Sequence, residues 1–162
     1  NRDGIEFDPA VSPDGKWLVY DDRNRIFLIQ LAGGPPIDLS PFIGTGLREP
    51  AWAPDSQGFI CTTRENLKIF TTDSSLVVQE SVIPGSFIEP AWSKSHPVFG
   101  ANLALTGSGG IYVMQPDGSE ENFVVARGRE PSWSPDGTRL AYINNVDQQV
   151  FVISIFEPIS GN

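Results

Sequence analysis

The residues of this chain that could carry chemistry are few. There is one histidine, His96, and one cysteine, Cys61, in 162 residues. A serine nucleophile needs a histidine held in place by a carboxylate, and His96, beside Pro97 in an irregular stretch, reads instead as a loop residue. One cysteine and one histidine also leave a zinc site short of ligands. Cys61 closes the apolar run Gly58-Phe59-Ile60-Cys61 and reads as a small buried hydrophobe. No Gly-x-Ser-x-Gly elbow, phosphate loop or dinucleotide fingerprint occurs, and Gly107-Ser108-Gly109-Gly110 is a turn between strands. No catalytic, cofactor-binding or metal-ligating set is therefore assigned. The patterned residues are carboxylates: Asp8, Glu49, Glu89 and Glu130 each stand directly before a proline. Gathered round one axis, they would hold a cation such as Ca²⁺ or grip a basic segment of a partner. Taken singly, each would accept backbone hydrogen bonds within its own turn.

A repeat is what would gather them. Pro9, Pro50, Pro90 and Pro131 are spaced 41, 40 and 41 residues apart, within DPAVSPDG, EPAWAPDS, EPAWSKS and EPSWSPDG. Such a period fits four-stranded propeller blades or paired-helix repeats. The internal pattern favours strands, because the apolar runs are four to six residues long, rich in aromatic and β-branched types, and bounded by Pro, Asp, Gly and Asn. Ser-Pro-Asp-Gly predicts a type I turn with glycine taking the positive φ that follows, folding a first strand onto a second. Third strands are predicted at Ile26, Leu67 and Ile111, and fourth strands at 37–39, 76–78 and 123–125. Four antiparallel strands per repeat make one blade, with Trp52, Trp92 and Trp133 buried between neighbouring blades. The first repeat has Val11 in place of tryptophan, and the third replaces the Ser-Pro-Asp-Gly turn with Ser93-Lys94-Ser95-His96-Pro97.

Pro-x-Trp-Ser-Pro-Asp-Gly, then Leu-Ala-Tyr, then Ile-Tyr-Val-Met-x-x-Asp-Gly-Ser resembles the WD40-like (PD40) repeat of the TolB β-propeller family. Repeat four carries the first two parts in full and repeat three the last, while repeats one and two are degraded versions; together they cover nearly the whole chain. The expected fold is an all-β propeller of four blades of about 41 residues, the last blade short of a strand. It is expected to form one domain or propeller segment over 1–162, with repeats near 8–48, 49–88, 89–129 and 130–162. Three arrangements satisfy the strand arithmetic: a compact four-bladed ring, an excerpt of a larger propeller, or a ring completed by a second chain. In any of them the segment entering each innermost strand lies near the channel, which is where Asp8, Glu49, Glu89 and Glu130 would form a ring. The aspartates Asp14, Asp55 and Asp136 belong to the hairpin turns. Trp17, which has no aromatic counterpart in repeats two and four, is a candidate contact residue if exposed.

Composition narrows the partners. With 20 acidic against 11 basic residues, a net charge of −9 and a pI near 4.4, the molecule's field repels nucleic acid and anionic membrane surfaces. No apolar run is long enough to span a bilayer, and the single cysteine excludes an intrachain disulfide. The start at Asn1, without a methionine or signal-like segment, reads as the product of processing or trimming. The expected function is non-enzymatic: a scaffold binding a protein or peptide, with no cofactor, at the channel mouth or along the loops of one face. The resemblance implies the periplasm or the cell exterior. The alternatives are the substrate-gating propeller of a serine peptidase of tricorn or prolyl-oligopeptidase type, and an architectural subunit whose ring is completed by self-association or by further blades.

Overall fold

A computed structural model describes residues 6–72, 78–93 and 102–155. Its sheets follow the repeat. The first contains β1 (Phe7–Val11), β2 (Trp17–Asp21), β3 (Ile26–Gln30) and β4 (Ile37–Asp38), in that spatial order. A single helical turn, α1 (Ser40–Ile43), leads into the second sheet of β5 (Arg48–Trp52), β6 (Gly58–Thr62), β7 (Asn66–Thr72) and β8 (Val78–Pro84). The third holds β9 (Ile88–Trp92), β10 (Leu103–Gly107), β11 (Gly110–Met114) and β12 (Asn122–Ala126). The fourth has three strands among the described residues, β13 (Gly128–Trp133), β14 (Arg139–Asn144) and β15 (Val150–Ser154). Successive antiparallel strands lie side by side in every sheet, which makes each a blade of a β-propeller. The chain divides into two compact units, residues 1–90 and 91–162.

The turns form as their residues require. Ser12 donates its hydroxyl to Asp14 (2.6 Å) and accepts the N–H of Trp17 (2.9 Å), while Gly15 takes a φ of 71°. The fourth blade repeats this with Ser134, Asp136 and Gly137, the last again at φ 71°. In the second blade Ser56 replaces the glycine and adopts φ 61°. The fourth strand predicted at 76–78 is described from Val78 and runs on to Pro84; residues 76 and 77 lie outside the described residues, as does most of the irregular segment carrying His96. The helical turn α1 was not anticipated; it carries Ile43 into the core, where Leu39 and Leu47 flank it in the chain.

In the first unit, Val19, Ile26, Leu28, Leu39, Ile43, Leu47, Trp52, Phe59, Cys61 and Phe70 form one buried cluster between the first two sheets. Every residue of β6 is buried, and Gly58 is required there, since a Cβ would stand 2.1 Å from the Phe70 carbonyl oxygen. In the second unit the core is Ala104, Ile111, Val113, Val125 and Leu140, with Trp133 and Tyr142 packed against it. The tryptophans also link sheets through polar bonds. Trp52 Nε1–H donates to the Ala10 carbonyl (2.9 Å), and Trp133 Nε1–H to the Ala91 carbonyl (3.2 Å). Trp52 is buried, whereas Trp92 and Trp133 are half-buried. Val11, at the tryptophan position of the first repeat, is 55% exposed, so the smaller side chain there has no core role.

Candidate functional site

The four acidic residues share one backbone state. Asp8, Glu49, Glu89 and Glu130 have φ of 47°, 51°, 53° and 51°, in the left-handed region. The pairing register slips between Phe7 and Ala10, between Arg48 and Ala51 and between Arg129 and Ser132, so in β1, β5 and β13 the acid sits within a bulge. The proline after it cannot donate to the ladder and fits that interruption. A non-glycine residue held at positive φ is strained, and bulges of this kind re-aim a side chain.

In the first unit this re-aiming connects blades. Glu49 Oε2 accepts the backbone N–H of Glu89 (2.7 Å) and the hydroxyl of Thr62 (3.1 Å). The N–H of Glu49 in turn donates to Asp21 Oδ2 (2.9 Å), and Asp21 Oδ1 accepts the N–H of Arg23 (2.6 Å). The carboxylate of Glu49 is thus used by the next repeat, not by its own turn. Burial pushes the Glu49 carboxyl above the ordinary range, and the charges of Asp8 and Glu89 push it the same way. Asp21, fully buried, is likewise raised, first by burial and then by Asp8 and Asp22. Cys61 is fully buried as expected; burial, and then the Asp21 charge, put its thiol well above the usual value.

Glu130, in the second unit, is exposed and ion-paired with Arg129, whose other guanidinium nitrogen donates to Gln148 (2.8 Å). Among the described residues no group of three or more His, Cys, Asp or Glu side chains is arranged to hold a metal ion, and the possible Ca²⁺ site gains no support. Trp17 is half-buried and packs against the core of the first unit. The turn aspartates are structural: hydrogen bonding to Ser134 and then Thr138 lowers Asp136 to about 2, and Ser12 and Lys16 lower Asp14.

The structure also shows a cleft that the sequence reading missed. It lies at the end of the first two blades where second strands turn into third strands and one blade connects to the next. Its volume is about 490 Å³, and its lining includes Arg23, Arg48, Arg64, Asn24, Asn66 and Glu49. Asn24 holds the connection through Gly46, whose N–H donates to its carbonyl (2.7 Å), and Ser86 donates its hydroxyl to the Arg64 carbonyl (2.7 Å). The available sequence signal was that arginines recur at these turns, in Asp22-Arg23-Asn24-Arg25 and Thr63-Arg64-Glu65.

Comparison with known proteins agrees with this architecture. A TolB homolog of Chlorobium luteolum is 32% identical over 117 residues, 65% of this chain and 26% of that protein. A solved chain of Agrobacterium tumefaciens that carries the TolB name superposes with a TM-score of 0.63 at 17% identity, over 94% of this chain and 59% of its own. The chain is a β-propeller similar to TolB. No family model matches it. The blade geometry extends beyond TolB: Hsv2 of Kluyveromyces lactis superposes with a TM-score of 0.65 at 16% identity, covering 96% of this chain and 50% of that one. The TolB-like propeller spans about a quarter of the curated relative and about half to three fifths of these solved chains.

Proposed function

We propose that this TolB-like propeller is a non-enzymatic binding module that holds a protein or peptide partner on the face bearing the cleft. The observation that carries the reading is the cleft itself: polar side chains from the turns of two blades converge on it, while the opposite turn of the first blade is closed by the Ser12–Asp14 pair. The TolB likeness supports a scaffold role in the periplasm, and no helix of the described residues is long and apolar enough to cross a membrane. Asp8 and Glu89 are the carboxylates we assign to the inner rim of this face in the first unit, with Glu49 serving the backbone. The test is site-directed photo-crosslinking. A photoreactive side chain replacing Asn66, in the cleft, is expected to capture a partner that the same group replacing Gln57, in the opposite hairpin turn, does not; equal capture at both positions overturns the reading.

One observation favours a second, architectural reading. Among the described residues β15 is the outer strand of a three-stranded sheet, and its Val150 and Val152 are 69% and 61% exposed. An open strand edge with apolar side chains is a pairing template. Under this reading a further strand, from additional blades or a second copy, covers it. The solution mass by light scattering, together with binding of an apolar-surface dye, tests this: a dye-binding or self-associating chain is expected, and a monomer that binds no dye rejects it.

A further inference from the structure

The cleft has a charge character opposite to that of the whole molecule. The chain carries a net charge of −9, yet three exposed arginines, Arg23, Arg48 and Arg64, line this one cleft. Guanidinium groups placed there to neutralise neighbouring acids would be paired with them. Among the described residues no carboxylate stands within ion-pair distance of any of the three, whereas the nearby Arg25 is held by both Asp22 (2.7 Å) and Asp38 (3.1 Å). The half-buried acid of the cleft, Glu49, already accepts from the Glu89 backbone and Thr62 through Oε2.

Two of the three guanidinium groups are held in place without being neutralised. Arg23 lies over the Phe7 ring, with its central carbon 4.0 Å from the ring centroid. Arg48 donates its Nε–H to the Arg23 backbone carbonyl (3.0 Å), leaving both terminal nitrogens for a ligand. Such anchoring removes part of the rotamer cost of binding and leaves the fork geometry that matches an oxyanion bidentately. From these observations we infer that the Arg23–Arg48–Arg64 cleft is a recognition site for an acidic peptide segment, whose side-chain carboxylates it grips.

This inference rests on the binding reading above and gives the partner a chemistry. A peptide is favoured over a nucleic acid because the net charge of −9 opposes a polyphosphate more than a short segment bearing a few carboxylates, and because the described lining of the cleft offers no aromatic ring on which a base could stack.

The test is fluorescence anisotropy on the whole chain with a short fluorescein-labelled, C-terminally amidated peptide of alternating glutamate and serine. Matched peptides carry glutamine or lysine in place of glutamate. The glutamate peptide is expected to bind with an affinity that falls as salt is raised, and the glutamine and lysine peptides to bind far more weakly. Arg48→Ala and Arg64→Ala are each expected to weaken binding about tenfold, the loss of one charge-assisted contact. Arg64→Glu should weaken it further, and Lys16→Ala, at the hairpin turn on the other end of the first blade, should leave it unchanged. Unaltered melting of the Arg64 variants, whose side chain is exposed, shows that folding is not the cause. Equal binding of the glutamine peptide, displacement by the lysine peptide or by a single-stranded oligonucleotide, or full affinity in Arg64→Glu overturns the assignment. If the assignment fails while cross-linking from position 66 persists, the face still binds but is not a site for acidic segments. If cross-linking at position 66 fails as well, the binding reading fails with it.

Discussion

At the scale of single residues, Glu49 shows how a surface-looking acid becomes structural. Its Oε2 accepts the N–H that begins the next repeat, so Glu49→Ala should cost about 1–2 kcal/mol by leaving a part-buried donor without its acceptor. Glu49→Gln, which keeps a carbonyl oxygen, should recover most of that in thermal melts. The raised carboxyls of Asp21 and Glu49 also set a pH dependence. A folded-state carboxyl pKa above its unfolded value contributes stability below the ordinary carboxylate range, and this is lost as pH rises through the folded value. Asp136 has the opposite sign: it is lowered from 3.8 to about 2, so its contribution is present above the ordinary value and fades as pH falls towards 2. Melting temperature against pH should therefore lose its decline above the carboxylate range in Asp21→Asn. In Asp136→Asn it should lose its fall on the acid side; unchanged slopes in both variants would refute the assignment. Asp21 was not legible as a linking residue, because its importance lies in reaching a backbone N–H 28 residues away.

At the scale of elements, the two hairpin features that repeat most clearly, the turn and the tryptophan, were legible because both are local. The Ser-Pro-Asp-Gly turn closes within a few residues, and the tryptophan needs only the strand it sits on. What could not be read was the bulge that turns the acids, and anything set by a second blade, namely the acceptors for the Trp52 and Trp133 N–H groups and the convergence of Arg23, Arg48 and Arg64. The short helix α1 was missed because its one buried anchor, Ile43, follows residues that read equally well as a loop. Two substitutions test the packing. Trp52→Ala should cost about 3–5 kcal/mol by emptying the first unit's core and releasing the Ala10 carbonyl, and Trp52→Phe should restore the packing but not the hydrogen bond. Gly58→Ala, small as it is, should cost about 1–3 kcal/mol or more, because a methyl group would meet the Phe70 carbonyl oxygen across the β6–β7 pair. Denaturant midpoints measure both.

At the scale of the whole chain, protection should be graded. Hydrogen exchange is expected to be slowest in β6, where all five residues are buried, and fastest in β15, where Val150 and Val152 are exposed at what is, among the described residues, the edge of its sheet. Equal protection of the two strands would mean that β15 is covered in solution. The links between repeats run in both directions along the sequence: Trp52 and Trp133 reach back to a carbonyl of the preceding repeat, and Asp21 and Glu49 reach forward to an N–H of the following one. The tryptophan links both span 42 residues, so copying or deleting one whole repeat rejoins donor to acceptor at the new junction. A crossover inside a repeat severs them. A gene with this architecture can change its number of copies by recombination more easily than it can exchange fragments of a copy, and length variation among its descendants should come in steps of one blade.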